Sequence, residues 1–405
     1  MGQQQLLEQE TSAFARVDAP CPYFGTCGGC TLQDLAYQDQ VTVKRDRIRR
    51  ALAGLGELPA IELLGLEDPW RYRNKAEFTF SQDADGRLTL GYHAARSFWR
   101  IVDLDDCLLL PASVGPVLQS VRDAARRTGL PVYQPRTHQG FFRYLVVRAS
   151  QSGALLLCLI TAPGSKAAVE AMAQELMDRH PAIVGVHWGV TSRMADIAVP
   201  EELIRLRGAE WLEEQVGPFH VRLHPLSFLQ PTTVQADRLY RLLIEMLPDG
   251  EGPSGVAWDL YCGVGLIGFY LSTRMAKVYS IDVVPSHLEL AQANAALNGI
   301  TNIEFRTGRV EALLADRRFW LQEAKPDLVV VDPPRAGLHP DALSSLLAAR
   351  PKHLAYFSCN AQSLARDLQM LLSSFPRYRL VRVTGVDMFP HTNHVEVFTF
   401  LERRA

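Results

Sequence analysis

Hydrophobic and polar positions follow two different rhythms along the chain. From about residue 60 to residue 225, short β-branched and aromatic runs recur, with amphipathic stretches near 112–128 and 166–179 between them. The runs are AEFTF, LTLGYH, FFRYLVVRAS, ALLLCLIT, IVGVHWGV and FHVRLHP. Short runs of this kind are typical of strands, and amphipathic stretches are typical of helices. The middle of the chain is therefore predicted to be an antiparallel α+β unit.

After about Pro225, apolar runs of strand length alternate with helical stretches. The runs are VAWDLY, VYSID, IEFRTG, DLVVVD, LAYFSC, RLVRVTG and VEVFTFLE. Strands that alternate with helices predict a mainly parallel, doubly wound α/β sheet, whose buried strands are apolar throughout, as in DLVVVD. No segment of helix length separates the last two runs. These are predicted to form an antiparallel pair at one side of the sheet.

The N-terminal part of the chain differs from both of these segments. A polar tail or short helix precedes the Gly-rich loop CPYFGTCGGC, and a helical stretch that contains KRDRIRR follows it. A chain of 405 residues is expected to hold two or three domains. We divide it into an N-terminal region of residues 1–60, a central α+β domain of residues 61–225 and an α/β domain of residues 226–405.

Composition adds little to this division. Apolar residues make up 47% and charged residues 21% of the chain, and the net charge is −2, so charge alone does not indicate a nucleic-acid partner. No apolar stretch is long enough to span a membrane, and the N-terminus lacks the pattern of a signal peptide. We expect a cytoplasmic protein without an obligate protein partner, in which the seven cysteines are reduced thiols.

A nucleotide-like ligand is predicted where the first α/β strand ends. Gly263, Gly265 and Gly268 fit G-x-G-x-x-G between a strand and a helix, and Asp282 ends the next strand, where it can accept hydrogen bonds from ribose hydroxyls. Such Gly-rich turns also occur without a ligand. A nicotinamide enzyme and a methyltransferase both need these features, so the pattern does not separate them.

Three further groups lie at strand ends of the same segment. Asp332 and two prolines follow DLVVVD, Cys359 follows LAYFS, and Glu396 begins the last strand. A helix N-terminus after Cys359 is expected to lower the pKa of its thiol, although most buried cysteines are inert. Two histidines precede Glu396, but the spacing of a zinc-binding HExxH helix is absent.

Taken together, the motifs resemble those of one enzyme family. SFLQ, DLYCGVG, DPPRAG, SCN and DMFPHTNHVE occur in the order found in the RNA uridine-5-methyltransferases. The resemblance covers nearly the whole chain from Cys21 onward. It implies a Rossmann-like class I methyltransferase domain in residues 226–405, S-adenosylmethionine as methyl donor, and 5-methyluridine in RNA as product.

The chemistry of that family explains the reacting groups. Because C5 of uracil is a weak nucleophile, a thiolate first adds to C6, C5 then takes the methyl group, and a base removes the C5 proton before the thiolate leaves. By resemblance, Cys359 is the nucleophile and Glu396 the base. The implied donor-binding or uracil-binding residues are Gln230, Tyr261, Gly263, Leu266, Asp282, Arg309 and Asp332. Leu266 and Arg309 depart from the polar residues often found at these positions.

Four cysteines outside the methyltransferase segment suggest a metal group. Cys21, Cys27, Cys30 and Cys107 can supply four thiolates, which suit either zinc or an iron–sulfur cluster. Several ribosomal RNA members of the family carry a 4Fe-4S cluster on such a quartet, and the resemblance therefore favours the cluster. Four available ligands indicate a closed, structural site.

RNA is the implied partner. The family shares an RNK element, which matches Arg73, Asn74 and Lys75, and the surrounding WRYRNK suits stacked bases and phosphates, so these residues and Arg71 are predicted to bind RNA. The alternative for WRYRNK is strand packing. The basic residues 44–50 are either an RNA contact or a solvated helix face.

The predicted substrate is 23S ribosomal RNA, and the alternative is the T-loop of tRNA. Many relatives begin with a small β-barrel that binds RNA, but about twenty residues precede Cys21 here. The cysteine quartet and the motifs SCNAQ and DMFPHT resemble those of the branch of the family that lacks this barrel and acts on 23S ribosomal RNA. Other readings are an amino-group methyltransferase, which leaves Cys359 unexplained, a non-catalytic RNA-binding protein, and a dinucleotide-dependent oxidoreductase.

Overall fold

The protein is described by a computed structural model, which covers residues 3–404 apart from 98, 249, 251, 319 and 321–323. The helices of these residues are α1 (Gln3–Thr11), α2 (Tyr37–Leu52), α3 (Val114–Thr128), α4 (Lys166–Arg179), α5 (Thr233–Glu245), α6 (Leu266–Ser272), α7 (Pro285–Leu297), α8 (Val310–Leu313), α9 (Pro340–Ala349) and α10 (Ala361–Ser374). No helix in this part of the chain is long and apolar enough to cross a membrane.

The strands of the same residues form three sheets. They are β1 (Ile61–Leu64), β2 (Lys75–Gln82), β3 (Leu88–His93), β4 (Ile101–Asp103), β5 (Phe142–Ala149), β6 (Leu155–Thr161), β7 (Ile183–Val190), β8 (Glu202–Gly208), β9 (Leu212–Val216), β10 (Phe219–Leu223), β11 (Val256–Leu260), β12 (Lys277–Asp282), β13 (Ile303–Thr307), β14 (Leu328–Val331), β15 (His353–Ser358), β16 (Tyr378–Val386) and β17 (Glu396–Arg403).

The central sheet has the order β4-β3-β2-β5-β6-β7-β8. Its pairs are antiparallel, as predicted, except that β6 and β7 run parallel because α4 crosses between them. Apolar residues of α3 and α4 pack on one face of the sheet and form a separate core with residues of β2, β5 and β6. The other face of β5 and β6 carries a smaller core with Val146, Cys158 and Ile160, so both strands are buried along their whole length.

The second large sheet is doubly wound, as the sequence predicts, and has the order β1-β16-β17-β15-β14-β11-β12-β13. The chain leaves β11 toward β12 on one side and later returns to β14 on the other, so the direction of winding changes beside β11. Ligands of such sheets bind outside the carboxyl ends of the strands at this point. The last two strands form the predicted antiparallel pair, but β17 lies between β15 and β16.

Segments from before residue 226 pack on or extend the doubly wound α/β sheet. Strand β1 follows the predicted domain boundary at residue 60, yet it pairs with β16 and not with the central sheet. Helix α2 packs against α10 and places Ile48 and Leu52 in the core beneath that sheet. Strands β9 and β10 form a two-stranded sheet, whose β10 packs against α7.

A buried ion pair joins α2 to the segment before β17. Nζ of Lys44 lies 2.6 Å from Oδ1 of Asp387 and donates to the carbonyl of Phe389, and both charged side chains are 0% exposed. The Tyr37 hydroxyl donates to the other carboxylate oxygen. Burial lowers the pKa of Lys44, and the carboxylate of Asp387 opposes that shift. The pair therefore fixes the N-terminal helix to the C-terminal part of the chain.

The basic stretch 44–50 is divided between internal contacts and a solvated helix face. Lys44 is buried, Arg47 bonds with Glu10 and the carbonyl of Asn393, and Arg50 also pairs with Glu10. These partners hold α1 and the 387–394 segment against α2. Lys44 and Arg47 thus make internal contacts, whereas Arg49 and Arg50 lie on the exposed face of α2.

Loss of the buried cation should be costly. We expect Lys44→Met to lower the free energy of unfolding by about 3–5 kcal/mol, because the Asp387 carboxylate stays buried without its partner. The double variant Lys44→Met/Asp387→Asn should lose less than the sum of the single changes. Denaturant unfolding measures both, and Arg49→Met, which breaks a surface pair with Asp46, should cost less than about 1 kcal/mol. Equal midpoints for Lys44→Met and the unaltered protein would contradict a structural role.

Candidate active site

A cavity of about 850 Å³ opens at the carboxyl ends of the parallel strands, beside the point where the winding changes. All of the residues predicted to contact the donor line it, together with both predicted reacting groups. These residues are Gln230, Tyr261, Gly263, Leu266, Asp282, Arg309, Asp332, Cys359 and Glu396. The spacing of the motifs along the chain therefore corresponds to one place in the fold.

The Gly-rich turn shapes one wall of this cavity. Gly265 has φ +85° and precedes α6, a conformation that glycine adopts without strain. A Cβ on Gly268 would lie 2.8 Å from Oγ of Ser280 and 3.0 Å from Oδ2 of Asp259, so the glycine lets α6 pack closely on β11 and β12. Tyr261 has φ +67°, an uncommon value for a residue other than glycine, which is typical of functional sites.

The Asp282 carboxylate is fixed by the backbone around it. Its Oδ2 accepts from the N–H of Gly263 and its Oδ1 from the N–H of Val284, each at 2.9 Å. Nδ1 of His287 lies 3.4 Å from Oδ1. Burial raises the pKa of Asp282, but His287 and the two N–H groups outweigh burial and hold the pKa below its usual value. The group is thus an ionised acceptor, as required for binding ribose hydroxyls.

Two other carboxyl groups of the cavity have raised pKa values. Burial raises the pKa of Asp332 to about 7. Burial also raises the pKa of Glu396 far above its usual value, and the nearby Asp332 carboxylate adds to the shift. Oε1 of Glu396 is buried without a hydrogen-bond partner among the described residues. Such a desolvated carboxylate takes a proton readily, which suits a general base.

The strand register brings Cys359 and Glu396 together. In the antiparallel pair of β15 and β17, Ser358 lies opposite Val397. Cys359 directly follows Ser358 and Glu396 directly precedes Val397, so both residues lie next to this last pair of the ladder. Both line the cavity, and the Glu396 carboxylate raises the pKa of the Cys359 thiol. The end of the sheet therefore holds a thiol and a carboxyl group near each other at the wall of the cavity.

The ionisation of Cys359 differs from the sequence prediction. Burial raises the pKa of the thiol, Glu396 raises it further, and Arg335 opposes both. Helix α10 begins after Asn360, whose side chain accepts from the N–H of Gln362 and donates to the carbonyl of Arg335. The prediction that the helix would lower this pKa is wrong for the free protein, because desolvation and the adjacent carboxyl group dominate.

Several cavity residues were missed from the sequence. Phe228 lines the cavity and is 56% exposed. It lies within the SFLQ motif, two positions before Gln230, so the motif was a signal that could have found it. His287 and Tyr240 gave no sequence signal, because only the fold brings them to Asp282 and to the Asp332–Glu396 pair. His391 and His394 do not form a metal site. The first stacks on Trp70, and Arg335 donates to the second.

The four cysteines of the predicted quartet line a second, small cavity of about 30 Å³. All four are free thiols, and burial raises the pKa of Cys27, Cys30 and Cys107, that of Cys30 to about 12. The Arg73 side chain lines the same cavity and opposes these shifts. Within the part of the chain that the structure describes, no three His, Cys, Asp or Glu residues are arranged to hold a metal ion.

The predicted RNA-binding residues have other partners in the structure. Arg71 pairs with Asp106 and donates to the carbonyls of Cys107 and Leu110. The Asn74 side chain is buried and donates to the carbonyl of Gln230, and Arg73 lines the cysteine cavity. An RNA contact by Arg73 or Asn74 does not fit this geometry, because both side chains are turned into the protein.

Comparisons with known proteins agree with the site. The sequence profile of the family described as tRNA (Uracil-5-)-methyltransferase matches residues 36–404. An uncharacterized RNA methyltransferase of Caldanaerobacter subterraneus is 36% identical over 400 residues, which cover 97% of this chain and 86% of that protein. An uncharacterized RNA methyltransferase of Nitratidesulfovibrio vulgaris is 36% identical over 394 residues, 96% of this chain and 83% of that protein.

A solved structure is similar over nearly the whole length. It is the tRNA (uracil-54, C5)-methyltransferase of Pyrococcus abyssi in complex with S-adenosyl-L-homocysteine, with a TM-score of 0.76 and 28% sequence identity over 96% of this chain and 85% of that one. The matched profile, the relatives and this fold agree with the donor cavity described above. The chain therefore belongs to the tRNA (uracil-5-)-methyltransferase family of enzymes, which use S-adenosylmethionine to methylate C5 of uracil in RNA.

Proposed function

We propose that the protein methylates C5 of a specific uridine in 23S ribosomal RNA through a transient bond between Cys359 and C6 of the base. The observation that supports this proposal is that Cys359 and Glu396 flank the last Ser358–Val397 pair of β15 and β17 and both line the donor cavity. A nucleophile beside a base is what covalent activation of C5 requires. An amino-group methyltransferase needs neither group.

Each reacting residue has one task in the proposed sequence. Cys359 loses its proton to solvent and its Sγ adds to C6, which moves an electron pair from the C5–C6 double bond into the enolate. The sulfonium of S-adenosylmethionine supplies the methyl group that C5 then takes. Glu396 removes the C5 proton, the double bond re-forms, and Sγ leaves. The buried, unpartnered carboxyl oxygen of Glu396 supports this task, since desolvation makes it a stronger base.

The remaining cavity residues are proposed to orient the two substrates. The ionised Asp282 accepts from the ribose hydroxyls of the donor, and Asp332 contacts the donor or the edge of the uracil. Gln230, Tyr261, Gly263, Leu266 and Arg309 form the rest of the proposed donor contacts. A uridine in a folded RNA must leave its stack to enter this cavity.

The choice of RNA rests on the cysteine loop. We favour 23S ribosomal RNA because the four cysteines of this chain match the quartet of ribosomal RNA enzymes. The T-loop of tRNA is the alternative, supported by the similarity to the Pyrococcus abyssi enzyme, which is a tRNA (uracil-54, C5)-methyltransferase. Both RNAs belong in the same assay, since the chemistry at C5 is the same.

We further infer that Cys21, Cys27, Cys30 and Cys107 hold a 4Fe-4S cluster. No three of the thiols are grouped to hold a single metal ion, but all four line one cavity, and Arg73 in its wall provides a positive charge for thiolates. Bound there, the cluster would cross-link the N-terminal loop to the turn after β4. Four protein thiolates leave no iron open to substrate, which fits a structural group.

A 5-fluorouridine trap tests the covalent mechanism. Because fluorine at C5 does not leave as a proton, RNA fragments with 5-fluorouridine should form a denaturant-resistant adduct with the enzyme when S-adenosylmethionine is present. Cys359→Ala should form none, and Cys262→Ala, which removes another thiol of the same cavity, should still form it. Glu396→Gln should trap ordinary RNA and lower turnover by about 10²–10⁴-fold.

Mapping the adduct identifies the uridine and decides between 23S and tRNA fragments. A tRNA adduct alone would move the substrate to the T-loop. Full methyl transfer by Cys359→Ala would instead overturn the mechanism and favour amino-group methylation.

Alkylation of Cys359 tests the electrostatics of the pair. At alkaline pH, Glu396→Gln should speed alkylation by iodoacetamide, because the Glu396 carboxylate raises the pKa of the thiol and the variant removes that charge. Mass spectrometry of the Cys359 peptide gives the rate. Glu311→Gln is the matched control, since Glu311 lines the same cavity and pairs with Arg309. Equal rates in Glu396→Gln and the unaltered protein would contradict the side-by-side placement.

Elemental analysis tests the metal group. Protein reconstituted without oxygen should contain about four iron and four acid-labile sulfide per chain. Cys107→Ala should lose most of both, while Cys158→Ala, which removes a buried thiol away from the cavity, should keep them. One equivalent of zinc per chain without acid-labile sulfide would show that the site binds zinc and not a cluster.

A further inference from the structure

A third cavity lies on the central domain and has no part in the donor site. It has a volume of about 280 Å³, and its wall combines aromatic and cationic side chains. Those used below are His93, Trp99, Tyr133, Arg136, Arg143 and Tyr144. Strand β3 ends at one side of it and strand β5 begins near the other, so rigid elements hold both sides.

One wall presents an aromatic surface to solvent. Trp99 is 66% exposed, and the guanidinium of Arg136 lies over its ring at 5.0 Å from the centroid. An indole left this open in a folded domain is typical of a binding surface, because Trp usually buries most of its area. A flat base can stack on the same ring and on the guanidinium plane.

The floor of the cavity carries polar groups without partners. The Arg143 side chain is 3% exposed and is held by the carbonyls of Arg193 and Ala195 and by the Tyr133 ring, 4.1 Å away. Its Nε, like Nδ1 of His93, is buried with no hydrogen-bond partner in the described part of the chain. Such fixed nitrogen groups can bond the edge of a base, and their burial without a partner is otherwise costly.

The charge at the rim suits a polyanion. Arg136 lines the cavity, and Arg96 and Arg100 flank Trp99 along the chain. The carboxylate of Asp196, which also lines it, is bound by the Tyr144 hydroxyl. The combination of an open ring, fixed hydrogen-bonding groups and the Arg136 cation beside the ring matches single-stranded nucleic acid.

We propose that this cavity holds one unpaired nucleobase of the RNA substrate, stacked on Trp99 and read at its edge by Arg143 and His93. The proposal rests on the proposed function insofar as the substrate is RNA. It gives the central domain a specific task, namely to hold a second extruded base while the target uridine occupies the donor cavity.

Binding of RNA to the full-length, reconstituted protein tests this proposal. The probe is a fluorescent single-stranded RNA of about 12 nucleotides and of mixed sequence, titrated at several salt concentrations, with the annealed duplex as comparison. Trp99→Ala should weaken binding of the single strand by about 5- to 150-fold with an unchanged salt slope. Trp99→Phe should restore part of the affinity, since it keeps a ring for stacking.

Control variants separate stacking from charge and from unfolding. Arg136→Ala should weaken binding more than Arg127→Ala, which removes a surface cation that pairs with Glu175 on α4. Met370→Ala, an exposed apolar residue on α10, should leave binding unchanged. Binding of S-adenosylmethionine should be unaltered in every variant, because none of these residues lines the donor cavity.

Two results would overturn the nucleobase pocket. One is a Trp99→Ala protein that binds the single strand as Met370→Ala does. The other is an equal loss for single strand and duplex, which would mean that the surface reads only the backbone. Because the titration measures binding without turnover, it is independent of the 5-fluorouridine trap. If no 5-fluorouridine adduct forms but binding of the single strand depends on Trp99, the covalent mechanism is overturned and the nucleobase pocket is not.

Discussion

The register of β17 against its two neighbours is the constraint on which the proposed catalytic site depends. A slip of one residue would turn Glu396 to the other face of the sheet, away from Cys359. Both faces of β17 are buried, so burial alone does not select the register. The two faces differ in volume, however. Phe398 and Phe400 enter one core, and Val397 and Leu401 enter the other. A slip of one residue would exchange phenylalanine rings for aliphatic side chains in both cores and leave both badly packed. This packing cost keeps Glu396 in its place.

The cysteine loop contacts two parts of the protein that are far apart in sequence. The N–H groups of Thr31 and Leu32 both donate to the carbonyl of His391, whose ring stacks on Trp70. On its other side, the N–H of Gly28 donates to the carbonyl of His93, at the edge of the proposed nucleobase pocket. The loop thus contacts the segment that leads to Glu396 and the central sheet. Anything that stiffens this loop stiffens both.

Local patterns were enough to predict much of the fold and of the donor cavity. The glycines near 263–268, Asp282 and the strand-end motifs depend on spacing within one strand–turn–helix unit, and the sequence contains that spacing directly. The parallel order of the β11–β15 strands follows from the same alternation. For these parts, the sequence predicts which residues lie at the ends of the strands, and the structure supplies their distances and partners.

The failures share a physical cause, which is a partner far away in sequence. Strand β1 has four residues and is recognisable only by its pairing with β16. Lys44 looks like a surface cation until Asp387 is known to bury it, and Arg73 looks like an RNA contact until it is found beside the thiols. The pKa of Cys359 was predicted from its helix alone, whereas burial and Glu396 decide it.

The contact between Lys44 and Asp387 also has a consequence for synthesis. Its two residues are 343 positions apart, and β1 and the cysteine loop likewise pack against the far end of the chain. At 5–20 residues per second, a ribosome needs roughly 20–70 s to make the intervening polypeptide. During that time α2 and β1 lack their partners in the C-terminal part of the chain. The cysteine cavity is lined only by residues between 21 and 109, so the thiols can be enclosed as soon as the first part of the central domain has been made.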